Sequence, residues 1–498
     1  MTKILTGLQM RGADEYTTRV LGGASQTLME RAGNALAKKA VEMTKNGRVL
    51  CVCGGGNNGG DGFICARLLK NAGYETDVVC VANRFSPDCQ VALDKFRSAG
   101  GVTERDFPSN DYALVIDCLL GTGFKGELSE VYKNAIGKIN GYKKAGAKVL
   151  SADIPSGVNG DNGEVGAIAV LADATVCMGE YKSGVFLGDG VDYAGEIVRA
   201  DIGISLPEES YALLTDKADV AALLSRRKRN THKGSYGKAA IVAGCAEYTG
   251  AAYLATAACL RSGAGYTALF TPAELLCYYM LKAPEALLKP LCKGDRANFD
   301  EKSFSALLSY DSVAYGMGMG CSIEVAKGAA YLLQNYTGKL ILDADALNAL
   351  AEFGGENVFQ NKKCDVVITP HVKEFSRLTG ENVSEILKKG LFAATDFSKR
   401  NGISVLLKNA VSVITDGQNT YVNATGNAGQ AKGGSGDVLA GVIAGLCAQG
   451  FSAINGARVG GYIVGKAAEI AARTQDTRSV LASDIIGCLG KAFLEIYD

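Results

Sequence analysis

The chain has 498 residues, with 52 basic and 52 acidic side chains, 15 cysteines and only two histidines. This length is too great for one hydrophobic core, and the balanced charge excludes a global field that would favour nucleic acid or an anionic membrane. The sequence has no Cys-x-x-Cys pair, no long apolar run and no apolar leader segment at its start, so structural zinc, a membrane span and secretion are not expected. We expect two large domains in the cytoplasm, with free thiols.

A glycine-rich turn follows the first predicted strand, an apolar run near residues 48–53. Six of the nine residues from Gly54 to Gly62 are glycines, and the turn leads into a helical pattern. Backbone N–H groups of such a turn and the positive end of a helix favour an anion, so we interpret these glycines as ligand-binding and not as packing residues. The turn fits G-x-G-x-x-G, but Asp61 would repel phosphate unless a cation or a reaction requires it. A plain glycine turn is the alternative.

Short apolar runs alternate with helical periodicity through the first half, which predicts a parallel sheet with crossover helices. The expected strands are near residues 48–53, 76–82, 112–118, 147–152, 173–178 and 196–200. Asp117 and Asp153 stand at the carboxyl ends of two of these strands, and Gly121–Gly126 and Ser156 follow them. Because ligands bind at that edge of an open α/β sheet, we expect the site there.

The pattern breaks between about residues 203 and 230, where Pro207 and an acidic stretch precede a basic run at Arg226–Arg229. We place a boundary there and expect domains of residues 1–215 and 216–498. In a chain without net charge, such a basic run is more typical of a solvated surface than of a nucleic-acid site. Strands recur near residues 239–243, 266–270, 311–315, 339–342, 365–368, 403–407 and 411–415.

A second glycine turn, Gly433–Asp437, opens an apolar helix near the end of the chain. Its N–H groups suit a phosphoryl group at a helix N-terminus, and Asp437 could take a proton from a substrate hydroxyl. This layout is typical of a ribokinase-type phosphotransferase. A helix cap formed by Ser435 or Asp437 is the alternative. The sequence lacks G-x-x-x-x-G-K-[ST], which argues against a P-loop enzyme.

Three more segments follow predicted strands of the second half. Gly316–Gly320 would let backbone approach a ligand closely. His371 stands at a strand-to-helix corner, where a buried structural histidine is equally expected. Lys408–Ser412 lies between two strands and either places a charge and a hydroxyl beside phosphates or forms a solvated hairpin.

Together these segments resemble the bifunctional NAD(P)H-hydrate repair enzymes, in which an epimerase domain is fused to an ADP-dependent dehydratase domain. The similarity covers nearly the whole chain. In the first half it rests on Asn57–Gly62, Asp117 with Gly121–Gly123, and Asp153–Gly157. In the second half it rests on His232–Gly237, Arg261–Gly265, Asp343–Leu347, Thr369–His371 with Glu374, and Gly433–Gly441.

The resemblance implies a Rossmann-like open α/β sheet domain followed by a ribokinase-like α/β domain. Both domains would act on NADHX or NADPHX, the forms of NADH and NADPH that are hydrated on the nicotinamide ring. The first would interconvert the R and S hydrates, and the second would dehydrate the S form with ADP, releasing AMP and phosphate. Potassium in the first domain, magnesium in the second and a homo-oligomer are expected, without nucleic-acid or membrane partners.

In the first domain, the family pattern assigns hydrate contacts to Asn57, Asn58, Gly59, Gly60, Asp61, Gly121, Thr122, Gly123, Phe124, Lys125, Gly126, Glu127 and Asp153. Asp153 is also the expected catalytic residue of epimerisation. The pattern assigns potassium to Asn58, Asp117 and Ser156. Their oxygen atoms suit a hard cation.

In the second domain, the pattern assigns substrate contacts to Ala264, Gly318, His371 and Asp437. It assigns nucleotide contacts to Lys408, Asn409, Ala410, Val411, Ser412 and Gly436. Asp437 is the expected base that activates the ring hydroxyl for phosphorylation. Phosphate could then leave in place of hydroxide, which is a poor leaving group.

Two residues depart from the family pattern. Asn409 stands where glycine is usual in Lys-Gly-x-x-Thr, and Lys432 replaces threonine in Ala-Thr-Gly-Gly. The sequence therefore leaves ADP against ATP open, as it does NADHX against NADPHX. Two other functions stay open: a ribokinase-type kinase of a vitamin or sugar with an accessory dinucleotide-binding domain, and a non-catalytic dinucleotide sensor. The intact acids at both glycine turns and at the strand ends argue against the sensor.

Overall fold

The computed structural model describes residues 2–20, 25–355 and 357–497. The chain divides into two compact units, an N-terminal unit of Thr2–Tyr211 and a C-terminal unit that begins at Ala212. This division falls four residues before the predicted boundary between residues 215 and 216. None of the described helices combines the length and the apolar character needed to span a membrane.

The N-terminal unit contains eight described strands: β1 (Thr2–Leu5), β2 (Val49–Cys53), β3 (Thr76–Cys80), β4 (Leu114–Cys118), β5 (Lys148–Ala152), β6 (Ala174–Met178), β7 (Tyr181–Lys182) and β8 (Glu196–Ala200). Six of them form a parallel sheet in the order β3-β2-β4-β5-β6-β8, and β1 pairs with β7. The six strands predicted for this half are confirmed. Central strand β2 is buried at every position, as is typical of a parallel sheet covered on both faces.

The helices of this unit are α1 (Gly7–Val20), α2 (Ser25–Met43), α3 (Asn57–Asn71), α4 (Pro87–Ser98), α5 (Glu130–Lys144) and α6 (Gly190–Ala194). Helices α2, α3 and α4 share one hydrophobic core with the sheet, and α5 contributes to a second core. The fold is therefore the expected open α/β sheet. The strand order reverses at β2, between β3 and β4, and the loops after β2 and β4 diverge there to leave a crevice.

The C-terminal unit contains ten described strands: β9 (Ala212–Leu214), β10 (Lys238–Val242), β11 (Tyr266–Thr271), β12 (Leu287–Pro290), β13 (Ser312–Tyr315), β14 (Lys339–Leu342), β15 (Asp365–Ile368), β16 (Ser404–Leu407), β17 (Ser412–Thr415) and β18 (Thr420–Asn423). Their order is β12-β11-β10-β13-β14-β15-β16-β17-β18-β9. The pairs β16–β17 and β17–β18 are antiparallel, and the other pairs in this order are parallel. The seven strands predicted for this half are confirmed.

The helices of the C-terminal unit are α7 (Lys217–Leu223), α8 (Thr249–Ser262), α9 (Leu276–Lys282), α10 (Glu301–Ser305), α11 (Ile323–Asn335), α12 (Asp345–Ala349), α13 (Val372–Thr379), α14 (Val383–Lys389), α15 (Leu391–Asn401), α16 (Ser435–Ala448), α17 (Ala453–Ala471) and α18 (Ala482–Glu495). Helix α16 is buried at every position from Val438 to Ala448, because it is apolar all round and packs with α8, α17 and the sheet in one core. Glycine lets α16 approach α8 closely, since a Cβ on Gly441 would lie 2.1 Å from the carbonyl oxygen of Ala255. This packing holds the start of α16 in a fixed position.

Candidate active sites

The glycines of the first turn, between β2 and α3, allow close packing and also leave the start of the helix open. A Cβ on Gly54 would lie 2.1 Å from the carbonyl oxygen of Leu119, and one on Gly59 would lie 2.1 Å from the carbonyl oxygen of Gly54. Gly56 precedes α3 and has open space where its Cβ would be. The expectation that these glycines are not packing residues was therefore wrong, because the turn holds α3 against the neighbouring loop while its helix end stays free.

A cavity of about 1190 Å³ lies in the N-terminal unit beside this helix end. It is large for a small-molecule site. The predicted hydrate-binding residues in its wall are Asn57, Asn58, Asp61, Gly121, Thr122, Gly123, Phe124, Lys125, Glu127 and Asp153. Gly59, Gly60 and Gly126 were also predicted to bind and are not among the described wall residues. The structure thus brings the first glycine turn, the Gly121–Glu127 loop and Asp153 to one cavity.

Asp153 projects from the carboxyl end of β5 in an unusual backbone conformation. Its φ is 68°, in the left-handed region that non-glycine residues rarely adopt. Its Oδ1 atom lies 2.5 Å from Nζ of Lys182 and accepts a hydrogen bond of 3.2 Å from the backbone N–H of Met178. Lys182 is 1% exposed and also donates to the carbonyl oxygen of Met178 at 2.5 Å. An ammonium group therefore holds the carboxylate in place.

Sequence reasoning missed Lys182. It lies in the two-residue strand β7, directly after the predicted strand near residues 173–178, and the apolar pattern does not mark it. A lysine just beyond a buried strand end was the available signal. Burial lowers the pKa of Lys182, but the charges of Asp153, Cys177 and Asp14 and the hydrogen bond to Asp153 together outweigh burial and leave that pKa raised.

Two more carboxyls line the same cavity from other helices. Asp61, in α3, is 8% exposed, and none of the described residues donates a hydrogen bond to its carboxyl group. Burial raises the pKa of Asp61 well above its usual range, and the charge of Asp153 adds to this effect against Lys182. Asp14, in α1, has its pKa raised to about 6, mainly by burial and against the charge of Lys182. The cavity therefore combines an ion-paired carboxylate with carboxyls that hold protons more tightly.

The three residues assigned to potassium lie together beside the cavity. Ser156 donates to Asp117 from its hydroxyl at 2.6 Å and from its backbone N–H at 2.9 Å. The side-chain amide of Asn58 donates to the carbonyl oxygen of Leu120 at 2.9 Å, while its own Oδ1 is buried without a hydrogen-bond donor among the described residues. Burial raises the pKa of Asp117, and the hydrogen bonds from Ser156 oppose this. The orphaned amide oxygen and the oxygen-only donor set fit a hard monovalent cation.

In the C-terminal unit, a second lysine–aspartate pair lies at the carboxyl edge of the sheet. Nζ of Lys408, after β16, is 2.9 Å from Oδ1 of Asp343, after β14. The side chain of Asp343 is 2% exposed and that of Lys408 is 21% exposed. The next residue, Ala344, has a φ of 50°, again in the left-handed region. The backbone N–H of Lys408 donates to the carbonyl oxygen of Pro370 at 2.8 Å, which fixes the start of its side chain.

The start of α16 meets this ion pair. A Cβ on Gly436 would lie 3.2 Å from Nζ of Lys408 and 3.6 Å from Oδ2 of Asp343, so the start of α16 lies directly against the ion pair. The Ser435 hydroxyl oxygen is buried without a hydrogen-bond partner among the described residues. Burial raises the pKa of Asp437 to about 7, with a further contribution from the charge of Asp343 and against that of Lys408. A free helix end, a cation and a carboxyl that titrates near neutrality thus converge.

His371 and Gly318 complete this edge. His371 caps α13. Its ring Nδ1 accepts a hydrogen bond from the backbone N–H of Glu374 at 3.0 Å, and its backbone N–H donates to the Glu374 carboxylate at 2.8 Å. The side chain of His371 is 48% exposed, so His371 is a helix cap but not the buried structural histidine of the alternative, and its Nε2 lies 3.4 Å from Oε1 of Glu374. Gly318 has a φ of 60° in the loop after β13, and the N–H of Gly320 in this loop donates to Asp345 at 2.8 Å.

The structure does not bring Ala264 to this edge. The neighbouring Gly265 donates to the carbonyl oxygen of Tyr236, just before β10 begins, which places Ala264 at the amino ends of the strands. Gln449, just past the other end of α16, donates to the carbonyl oxygen of Ser262 at 3.0 Å. Because α16 has 14 residues, Ala264 lies about 20 Å from its start.

The segment predicted to bind nucleotide, Lys408–Ser412, lies partly at the tip of a hairpin and partly at the edge of the sheet. Asn409 and Ala410 are exposed at the tip of the β16–β17 turn, Val411 is buried, and Ser412 begins β17. The side chain of Lys432 donates to the carbonyl oxygens of Arg478 and Val480. Neither Asn409 nor Lys432, the two departures from the family pattern, therefore places a free side chain beside Lys408, Gly436 and Asp437.

Comparison with known proteins agrees with this two-site architecture. A family model described as NAD(P)H-hydrate dehydratase matches residues 239–490, and one described as YjeF-related protein N-terminus matches residues 25–184. A crystal structure of ADP/ATP-dependent NAD(P)H-hydrate dehydratase from Bacillus subtilis, co-crystallized with ATP and Mg²⁺, is 27% identical with a TM-score of 0.51. The match covers 57% of this chain and 99% of that one. A ribokinase-like superfamily protein from Enterococcus faecalis, 24% identical with a TM-score of 0.50, shares the fold over 57% of this chain and 96% of its own.

Relatives of full length cover both units. The bifunctional NAD(P)H-hydrate repair enzyme Nnr of Thermofilum pendens is 34% identical over 98% of this chain and 96% of its own length. That of Dictyoglomus turgidum is 31% identical over 99% of both chains. The chain therefore belongs to the family of bifunctional NAD(P)H-hydrate repair enzymes.

Proposed function

We propose that this protein restores NADH and NADPH from their hydrates by two reactions. The N-terminal domain interconverts the R and S forms of NADHX and NADPHX, and the C-terminal domain dehydrates the S form with ADP. The main support is one chain that holds an acid-lined cavity in its first unit and a glycine turn with a lysine and a titrating carboxyl in its second. Full-length similarity to enzymes named for this repair supports both halves of the proposal.

In the N-terminal domain, the first glycine turn and the Gly121–Glu127 loop would bind the phosphates of the hydrate. Backbone N–H groups at the start of α3 suit an anion, and both segments border the cavity. Asp153 would act as a base on the ring hydroxyl, since its ion pair with Lys182 holds the carboxylate at the cavity. Gly59 and Gly60 would act through packing and not through contact with the ligand.

Asn58, Asp117 and Ser156 would hold potassium beside the same turn. A bound cation would supply positive charge that offsets the carboxylates near the phosphates. The unpartnered Oδ1 of Asn58 supports this role, because a buried amide oxygen without a donor is costly unless a ligand meets it. We expect Asn58→Ala to abolish any potassium dependence of epimerisation, measured as initial rates in potassium against tetramethylammonium salts.

In the C-terminal domain, Asp437 would take the proton of the ring hydroxyl while the hydroxyl oxygen attacks the β-phosphorus of ADP. The bond from that phosphorus to the bridging oxygen breaks, and AMP leaves. The ring nitrogen then pushes out phosphate, and loss of a proton from the adjacent carbon gives NADH or NADPH. Lys408 and the N–H groups near Gly436 would stabilise the charge on the transferred phosphoryl group.

Magnesium would enter this site on the nucleotide. Among the described residues, no group of three His, Cys, Asp or Glu side chains is arranged to hold a metal ion. Magnesium commonly binds through substrate phosphates with one or two carboxylates and keeps several waters, so the acids at this edge still suit it. It would offset negative charge on the phosphates during transfer.

One experiment tests both reactions. Purified protein is mixed with separated R and S hydrates, potassium and magnesium, with ADP, ATP or neither, and recovery of NADH absorbance is followed. We expect recovery from the S hydrate only with a nucleotide, and conversion of R to S without one. No recovery with either nucleotide would overturn the dehydratase proposal, and unchanged recovery in Asp437→Asn would overturn the assigned base.

The small-molecule kinase alternative is not favoured, since both family models and the full-length relatives point to hydrate repair. A phosphorylated alcohol that accumulates without any change in nicotinamide absorbance would restore it. We also propose a cytoplasmic homo-oligomer; the fifteen cysteines, all free, support a reducing compartment. Light scattering of the full chain tests the oligomeric state.

A further inference from the structure

Asp61 is a buried carboxyl in the wall of the N-terminal cavity, and nothing in the described residues satisfies it. It lies in the second turn of α3, is 8% exposed and receives no hydrogen bond to its side chain from the described residues. A carboxylate in this setting would be costly without a partner, so the group is expected to carry a proton or to meet a donor on the ligand.

Lys182, which lines the same cavity, forms its ion pair with Asp153 and not with Asp61. Lys182 uses its ammonium group on Asp153 and on the carbonyl oxygen of Met178, both at 2.5 Å, and forms no ion pair with Asp61. Asp153 and Asp14 add negative charge from other elements, and both raise the pKa of Asp61 further. One carboxyl of the cavity is therefore held in an ion pair, and its buried neighbour Asp61 holds a proton more tightly than a free aspartate does.

We propose that Asp61 is the general acid of epimerisation, with Asp153 as the general base, and that the reaction opens the ring. This inference rests on the epimerase function proposed above. The carbon that is epimerised bears the hydroxyl and is bonded to the ring nitrogen. Hydroxyl oxygen and ring nitrogen are therefore attached to one atom, and two carboxyls that line the same cavity can serve both.

The proposed ring opening needs no further reactant, because its protons and electron pairs balance. Asp153 takes the hydroxyl proton, the O–H electron pair forms the C=O bond of an aldehyde, and the C–N bond breaks with its pair on nitrogen. Asp61 gives its proton to that nitrogen. After rotation of the aldehyde, the nitrogen adds to its other face, Asp61 takes the N–H proton back, and Asp153 returns its proton to oxygen. Both carboxyls end as they began.

The test compares Asp61→Asn with Asp14→Asn in the full chain. Asp14 lines the same cavity on α1, so its variant also removes one carboxyl from the wall. We expect Asp61→Asn to lower kcat for conversion of R to S by roughly 10²–10⁴-fold, the usual range for a general acid, with KM changed less than about threefold. Asp14→Asn should lower kcat much less than Asp61→Asn does, because it removes only a neighbouring charge that acts on Asp61. ADP-dependent dehydration of pure S hydrate should persist in both, which shows that the C-terminal unit is intact, and the nearly unchanged KM for the R hydrate shows that the N-terminal unit is folded.

Two outcomes overturn the inference: Asp61→Asn retains kcat, whether or not its KM changes, or Asp14→Asn lowers kcat as much as Asp61→Asn does. A second measurement tests ring opening. In a single turnover in ¹⁸O-water, the S hydrate should keep the original hydroxyl oxygen, whereas one ¹⁸O per conversion would mean that the hydroxyl leaves and water returns. A wild-type protein that fails to interconvert the hydrates would instead overturn the proposed epimerase function itself.

Discussion

In the N-terminal unit a buried lysine, Lys182, pairs with a carboxylate that faces a cavity, whereas in the C-terminal unit Lys408 pairs with a carboxylate that is itself buried. Asp153 is 14% exposed and Asp343 is 2% exposed. In each unit another carboxyl, free of any ion pair among the described residues, stands near the start of a helix that a glycine turn opens. These are Asp61 in α3 and Asp437 in α16.

The difference shows how ion pairing divides the acid and base roles. The paired carboxylate of the first site lines the cavity and is suited to be the base, while burial raises the pKa of its unpaired neighbour Asp61. In the second site the paired carboxylate is buried, so the unpaired Asp437, with its pKa raised to about 7, is the group that we propose as the base. Each site also has a non-glycine residue with positive φ at the end of a strand. In the first site this residue is Asp153 itself, and in the second it is Ala344, which follows Asp343.

The comparison is tested most strongly by Asp437→Asn, which removes the base of the second site and leaves the first intact. We expect kcat for ADP-dependent dehydration to fall by roughly 10²–10⁴-fold because no other group takes the hydroxyl proton. Conversion of R to S hydrate should be unchanged, and it serves as the control in the same sample. Equal loss of both reactions would mean that the two sites are not separate in function.

Lys182→Met breaks the first ion pair and leaves Asp153 without its cation. We expect the N-terminal unit to lose about 3–5 kcal/mol of stability, because the remaining carboxylate is mostly buried and uncompensated. By the same reasoning Lys408→Met should cost the C-terminal unit at least as much, since the carboxylate that it leaves, Asp343, is 2% exposed against 14% for Asp153. Calorimetry measures the unfolding transitions. The double variant Lys182→Met/Asp153→Asn is the matched control and should recover part of the loss; a double variant less stable than Lys182→Met would contradict this explanation.

Glycine substitutions test the packing role of residues in the first turn and inside α16. Gly59→Ala should destabilise the N-terminal unit by about 1–3 kcal/mol, because its Cβ would lie 2.1 Å from the carbonyl oxygen of Gly54. Gly56→Ala meets open space and should change stability by less than about 0.5 kcal/mol. In the C-terminal unit Gly441→Ala should behave like Gly59→Ala. Denaturant unfolding gives the values, and equal effects at Gly56 and Gly59 would refute the packing role.

The smallest expected effect is the pH dependence of dehydration. Because Asp437 must be ionised to act as a base and its pKa is raised to about 7, kcat/KM should rise with pH through neutrality and level off above it. One titrating group with this pKa predicts about a tenfold rise between pH 6 and pH 8. Initial rates with S hydrate and ADP measure the profile. The residual activity of Asp437→Asn should lack this rise, and a profile of wild-type shape in that variant would assign the titration to another group.

Much of the architecture was predictable from the sequence because apolar strand runs and glycine turns are local signals. All thirteen predicted strands lie within two residues of their observed bounds. The strands without a prediction, such as β7, β9 and β18, are short and partly exposed, so their apolar pattern is weak. Asp61, Asp153 and Asp437 were recognisable because acids beside glycines at strand or helix ends are unusual.

What the sequence by itself determined is the order of elements, the two glycine turns and the acids that accompany them. Tertiary structure decided which charges meet. Lys182 is 29 residues from Asp153, and Lys408 is 65 residues from Asp343, so no local pattern predicts either pair. It also decided that the glycines pack as well as expose a helix end, and that Ala264 lies far from the start of α16. Ion pairing and burial are properties of the folded chain, and they determine which carboxyl holds a proton.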